Sequence, residues 1–289
     1  MIDRRRGAAI LFVAPFLLCF VAVTIVPLAY AAALSLFTEK ASGLGFGPAE
    51  TVFAGVDNYV RALSDPAFRG GFLIIAAYCL VYLPLMVGGA LVLALLLDSA
   101  AAKMKRLLQL ALFLPHAVPG LIAAIIWVYL YTPGLSPIVA LLEWDFLASD
   151  HVLLSVVNIA TWEWIGYNVI IFYAALQAVP REILEAATVD GARGLRLAFA
   201  IKVPMIRAAV VMAGLFTVIG AIQLFTEPKI INRAASTVSS SWTPNMYALT
   251  AAFERHDYGL AAAASMLIAL LGAVLSFAVT RATARRSSR

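Results

Sequence analysis

The residues of this chain that could do chemistry fall mainly in two places. The first is the run Glu185-Ala186-Ala187-Thr188-Val189-Asp190-Gly191-Ala192, followed by Ile201-Lys202-Val203-Pro204. Two alanines permit close backbone approach, Glu185 can pair with a cation, Asp190 can cap or brace a turn, and Gly191 can take a positive φ. The second is Glu163, set between Trp162 and Trp164, with Asn168, Gln223 and Glu227 further along. A carboxylate and amides accept and donate hydrogen bonds to hydroxyl groups, and indole rings stack on the apolar faces of a polyhydroxylated ring.

Other chemistries lack their residues. Three histidines, His116, His151 and His256, are scattered, and the two cysteines, Cys19 and Cys79, lie in apolar runs. No metal-ligand spacing, disulfide framework or nucleophile-base cluster results. No Gly-x-x-x-x-Gly-Lys-Ser/Thr phosphate loop occurs, so any nucleotide hydrolysis would belong to another chain.

The elements that position these residues are membrane spans. The chain is 63% hydrophobic and 13% charged, with a mean hydropathy of +0.93, far more apolar than a soluble domain. Crossing the hydrocarbon takes about 20 mainly apolar residues as a helix. Six stretches qualify, near 10–36, 72–97, 107–131, 152–178, 206–226 and 259–280. They lack the alternation of barrel strands, and lipid tolerates no unpaired backbone, so helix is the state expected. The expected fold is an all-α polytopic membrane protein with six transmembrane helices in a single transmembrane domain spanning 1–289. The first run continues from Gly7 to Thr38 without a charge, beyond a signal-peptide core, and reads as a retained anchor.

Charge sets the orientation. Arg4, Arg5 and Arg6, Lys103, Lys105 and Arg106, Arg181, Arg193, Arg196, Lys202 and Arg207, and Arg281, Arg285, Arg286 and Arg289 fall on one side. The other side receives Lys40, Arg61, Arg69, Lys229, Arg233 and Arg255. The richer side is cytoplasmic, and both termini lie there. The net charge of +5 therefore reads as membrane orientation; the short basic clusters form no continuous face for nucleic acid. An outer segment, 38–70, holds a short amphipathic helix at 55–63 suited to the interface, and 227–258 reads as a polar outer loop. The inner segment 180–204 reads as two ordered cytoplasmic helices. Pro180 opens the first, Gly191 stops it, and the second runs from about Gly194 to Lys202 and ends at Pro204.

Within the fourth span a central carboxylate costs about 2.5–3.5 kcal/mol. Glu163 therefore avoids lipid, and three placements are open: lining a solute path, sitting at the interface, or pairing two helices. Asn168, Gln177 and Gln223 carry the same choice between path and helix packing. Glu227-Pro228 reads as the end of the fifth span, either a gate or a simple terminator. His116, between Pro115 and Pro119, reads as packing at a kink.

The 185–192 and 201–204 runs resemble the cytoplasmic coupling-loop signature of binding-protein-dependent ABC importer permeases. Similarity continues at 55–63 with Ser64-Asp65-Pro66, at Phe113-Leu114-Pro115, at 168–176, and at Tyr258-Gly259-Leu260-Ala261-Ala262. Within that superfamily the chain looks most like the maltose-type branch, which takes up carbohydrates. The resemblance implies a type I importer permease fold in the bacterial inner membrane, forming half of a path for a sugar or sugar-like solute. It further implies a second homologous permease subunit, two ATPase subunits that bind ATP and Mg, and an extracytoplasmic solute-binding protein, with no cofactor in this chain. On that reading Glu185, Ala186, Ala187, Asp190, Gly191 and Pro204 form the ATPase-coupling loop. The chain departs from the branch at Leu195 and Arg196, at Val203, and at Ala234-Ala235-Ser236-Thr237, where relatives often carry a glycine-rich run. An ion-gradient-driven secondary transporter is the alternative, and would show more intramembrane carboxylates or paired broken helices.

Overall fold

The computed structural model describes residues 2–40, 50–99 and 102–287. Residues 41–49 of the 38–70 segment and Arg289 lie outside them. Helix dominates, because an apolar chain of this composition has no other way to satisfy its backbone in lipid. The first helices are α1 (Ile2–Phe20) and α2 (Val26–Leu34), joined by a π-helical stretch, Val21–Ile25. A two-stranded antiparallel pair follows, β1 (Phe37–Lys40) with β2 (Glu50–Phe53), in the register Phe37 to Phe53. Next come α3 (Asp57–Ser64), α4 (Pro66–Asp98), α5 (Lys105–Phe113) with a 3-10 turn at Leu114–Ala117, α6 (Gly120–Tyr131), α7 (Pro137–Leu142) and α8 (Val152–Gln177). The segment after α8 holds α9 (Arg181–Val189), a turn of α10 (Gly194–Arg196), a π-helical stretch Leu197–Lys202, and α11 (Val203–Met205). Then follow α12 (Arg207–Ile222), α13 (Thr226–Ala234), α14 (Pro244–Phe253) and α15 (Tyr258–Ser287).

Among the described residues five helices are long and apolar enough to cross a membrane: Leu11–Leu34, Pro66–Asp98, Val152–Gln177, Arg207–Ala234 and Tyr258–Ala278. A sixth is reached if Lys105–Ala117 and Gly120–Tyr131, bent by 93°, count as one span. The span expected over 107–131 is thus broken at its Pro115–Pro119 kink. Pro119 has no N–H, and the residue before a proline is pushed out of the helical region; Val118 is extended at ψ 129 and Pro119 at ψ 131. Both π-helical stretches end two residues before a proline, Pro27 and Pro204. The carbonyl four residues back loses its donor there, and the ladder widens. Pro204 consequently lies inside α11 and does not end the helix as expected.

The chain divides into two compact units, Met1–Arg69 with Pro244–Leu271, and Gly70–Thr243 with Gly272–Arg289. In the first, the motifs at 55–66 and 258–262 meet where Gly259 packs against Asn58: a Cβ at Gly259 would lie 2.7 Å from Asn58 Nδ2. Asn58, fully buried, donates through Nδ2 to the carbonyls of Ser35 (3.0 Å) and Phe37 (2.8 Å). Arg61 joins Asn58 Oδ1 (2.9 Å) to Asp257 (2.5 Å). Tyr247 donates to Asp65 Oδ2 at 2.8 Å, and burial together with that carboxylate pushes its phenol up to about 12, so it stays a donor. The segment 227–258, expected to be a polar loop, instead carries α13 and α14 with Ile231, Met246, Tyr247 and Ala251 buried.

The second unit is built on α4, α8 and α12. Ala90, Ala94 and Leu97 of α4 meet Val169, Phe172 and Leu176 of α8, with Ile206 and Ala213 completing the core. Alanine at the contact lets helix backbones approach closely, which is how spans associate where lipid supplies no hydrophobic drive. The extreme case is Gly166, where α8 crosses α5: a Cβ there would lie 1.7 Å from the Leu112 carbonyl oxygen.

Gly166→Ala is therefore expected to destabilise the solubilised subunit by roughly 1–3 kcal/mol or more. Gly214→Ala, where a Cβ meets nothing within 4 Å, is expected to change little. Thermal unfolding in detergent checks the pair; equal melting temperatures for the two variants would contradict the close crossing.

Candidate functional site

The second unit encloses a cavity of about 300 Å³ between α4, α6, α8, α12 and the start of α13. Ala160, Glu163, Trp164, Tyr167 and Asn168 line it from α8. Their spacing of three and four residues defines one helix face. Phe216, Thr217, Gly220 and Gln223 line it from α12, Tyr78 and Tyr82 from α4 with rings stacked at 4.8 Å, and Thr226 and Glu227 from α13. Its wall thus offers carboxylates, amides, hydroxyls and aromatic faces, the groups that recognise a neutral polyhydroxylated molecule.

Glu163 is 7% exposed, and the broken span explains how it is housed. A Cβ at Gly120, the first residue of α6, would lie 3.0 Å from Glu163 Oε1. The carboxylate therefore rests against the first residue of α6, at the helix end whose dipole favours negative charge. The missing side chain at Gly120 makes room for it. Glu227 sits in the first turn of α13, also the end that favours an anion.

Of the residues singled out in the sequence, Glu163, Trp164, Asn168, Gln223 and Glu227 share this cavity, and Trp162 does not. Residues two apart on a helix point about 200° away from each other at 3.6 residues per turn. Trp164 faces the cavity while the Trp162 ring meets Trp127 edge-on at 5.9 Å. Asn168 also packs between helices, donating to the Trp164 carbonyl (3.2 Å) and to Met86 Sδ (3.5 Å). Glu227-Pro228 opens α13 and does not end α12, which stops at Ile222. His116 packs behind the aromatic wall, its ring 4.6 Å from Trp164 and 5.0 Å from Tyr167. The sequence reading missed Tyr78, Tyr82, Tyr167 and Gly120; the four-residue spacing of the two α4 tyrosines was the available signal.

The second candidate region is the 180–204 segment. Pro180 immediately precedes α9, one residue earlier than expected. Gly191, at φ +84, ends that helix: its N–H meets the Thr188 carbonyl at 3.0 Å, and the Ala192 N–H meets Ala187 at 2.8 Å. This paired closure is a Schellman cap and requires the left-handed residue that glycine supplies without penalty. Asp190 is the last residue before it. Glu185, Ala186 and Asp190 are exposed, and Ala187 is half-buried. Exposed with them are Val189 at 88%, Leu195 at 77% and Phe199 at 52%. Pro204 is exposed in α11. Gln177, a candidate for the solute path, lies here instead, donating to Asp98 Oδ1 at 2.6 Å. Among the described residues no cluster of His, Cys, Asp or Glu has the arrangement of a metal site.

Comparison with known proteins accords with this architecture. The arabinooligosaccharides transport system permease protein AraP of Halalkalibacterium halodurans is 27% identical over 95% of this chain and 87% of its own length. The trehalose transport system permease protein SugA of Mycobacterium tuberculosis is 30% identical over 94% of this chain and 87% of its own. A chain of a bacterial alginate ABC transporter, crystallised with an alginate pentasaccharide-bound periplasmic protein, shares the fold with a TM-score of 0.80, at 17% identity, over 98% of this chain and 96% of that one. Residues 90–288 match the sequence pattern of the binding-protein-dependent transport system inner membrane component. With its apolar spans, its cavity and its exposed 180–204 segment, this chain belongs to that family and is a multi-pass inner-membrane protein.

Proposed function

We propose that the chain is a permease subunit of an ATP-driven importer, forming half of the path for a sugar or sugar-like solute. It spans the membrane six times, the bent pair α5–α6 serving as the third span, with both termini in the cytoplasm. A second homologous permease completes the path, two ATPase subunits bind ATP and Mg, and a solute-binding protein delivers cargo from outside. The chain itself catalyses nothing. The named relatives that handle arabinooligosaccharides and trehalose support a carbohydrate cargo.

One observation carries the coupling assignment. The 180–204 segment exposes Val189, Leu195 and Phe199 to water outside the spans, although its backbone is firmly closed by the Schellman cap at Gly191. An ordered surface that exposes large apolar side chains is a surface with a partner. The ATPase subunit is that partner: a permease with no phosphate loop must receive work through a stiff contact.

The cavity is the solute site within the membrane. Glu163 accepts hydrogen bonds from hydroxyls, and Trp164 and Tyr167 face the ring.

Glu185→Lys or Gly191→Val is expected to leave the protein inserted while lowering ATP-driven uptake about tenfold or more. The valine cannot take φ +84 without roughly 1–2 kcal/mol of local strain. Uptake assays in vesicles check both, and full uptake in either variant would contradict the coupling role. Glu163→Gln is expected to raise the uptake KM roughly tenfold, the worth of a charged hydrogen bond, with little change in expression. An unchanged KM with reduced assembly would make Glu163 a packing residue. A thermal-shift screen of the cognate binding protein against neutral oligosaccharides identifies the cargo.

A further inference from the structure

Asp98 is the last residue of α4, and its side chain collects contacts from two other elements. Its Oδ2 pairs with Lys202 Nζ, from the π-helical stretch of the 180–204 segment. Its Oδ1 accepts from Gln177 Nε2 at 2.6 Å, the last residue of α8. The Asp98 backbone carbonyl additionally faces Lys105 Nζ at 3.4 Å. The ion-paired side chains are only 11% and 17% exposed, so the charges are held where water screens them weakly.

The two helices that end at this carboxylate are two that wall the cavity. Tyr82 lies about 24 Å along α4 from Asp98 at 1.5 Å per residue, and Glu163 and Trp164 lie on α8 above Gln177. Beside the pair, α4 and the second half of the segment are separated by a further cavity of about 700 Å³, lined by Leu95, Leu96, Leu195 and Phe199. Across that opening the ion pair is the direct polar link. Towards α9 the chain turns at Gly191 and Gly194, both at positive φ, so α9 joins the pinned stretch through a turn of a different conformation from the helices on either side.

We propose that Asp98 is a positioning residue for transport: with Lys202 and Gln177 it fastens the 180–204 segment to α4 and α8, and passes displacement of that segment to the cavity wall. The proposal rests on the assignment of 180–204 as the ATPase-coupling loop. Neutralising the pair uncouples the loop from the path, while the cap at Gly191 still holds α9 and its exposed Val189 ready for the ATPase subunit.

The test uses the assembled transporter in lipid nanodiscs with its partner permease and ATPase subunits. Mg-ATP hydrolysis is read with and without the cognate binding protein, and the stimulation ratio is the measured quantity. Asp98→Asn and Lys202→Gln are each expected to lower the ratio about fivefold or more with ATPase subunits still bound. The double variant is expected to be no worse than either single, and Asp98→Glu to keep most of the ratio. A wild-type ratio in both single variants overturns the proposal, as does additive loss in the double variant. Failure of both single variants to assemble also overturns it, since the role would then be structural. Glu185→Lys, run in parallel, separates the two levels. If it too retains bound ATPase and full stimulation, the coupling-loop assignment fails; if it loses them while Asp98→Asn does not, only the positioning role fails.

Discussion

A helix that stops at membrane depth leaves backbone N–H and C=O groups that lipid cannot satisfy, so such a break survives only against protein or a polar cavity. On the proposed six-span topology the break at Val118 and Pro119 falls under that constraint, and the cavity of the second unit lies beside it. It sets the N-terminal turn of α6 against Glu163, offering the positive end of a helix dipole to a carboxylate that would be expensive beside lipid. Gly120 leaves room for the carboxylate, α8 supplies it, and the tyrosines of α4 and the polar end of α12 close the cavity. The kink and the buried acid each need the other.

The same economy governs the 180–204 segment. Its two prolines and two left-handed glycines divide the chain into short stiff pieces: α9, sealed by a Schellman cap, and a π-helical stretch held by Lys202 to the end of α4. Short helices gain little stability alone, so the Schellman cap and the partly buried ion pair keep them ordered while their apolar side chains stay exposed. An element both rigid and unsatisfied is suited to docking a partner and transmitting its motion.

Much of this was legible in the sequence, and the failures have physical causes. Runs of about twenty apolar residues announce spans, and Pro115 and Pro119 announce a kink in the third, but an apolar run does not report its direction, so the 93° size of the bend is not legible from them. The carboxylate and amides of the cavity were found because polar groups in a span are costly. Trp162 was wrongly paired with Trp164 because adjacency in sequence was allowed to override helical angle. Tyr78 and Tyr82 were overlooked because tyrosine in an apolar run has many ordinary uses. Asp98 was passed over because a charge at the end of a span is commonplace; only its convergence with Gln177 and Lys202 distinguishes it. The helices α13 and α14 are too short for their periodicity to rise above the serine and asparagine around them.

On the proposed function, the exposed face of 180–204 docks on a nucleotide-hydrolysing partner on the cytoplasmic side. The most direct test places a cysteine at Val189, in a background lacking Cys19 and Cys79, and cross-links it within native membranes. Such docking gives a covalent adduct with the ATPase subunit, with labelling of that cysteine blocked when the complex is assembled and reached only from the cytoplasmic face. An adduct confined to the permease itself, or labelling from the outer face, would contradict it.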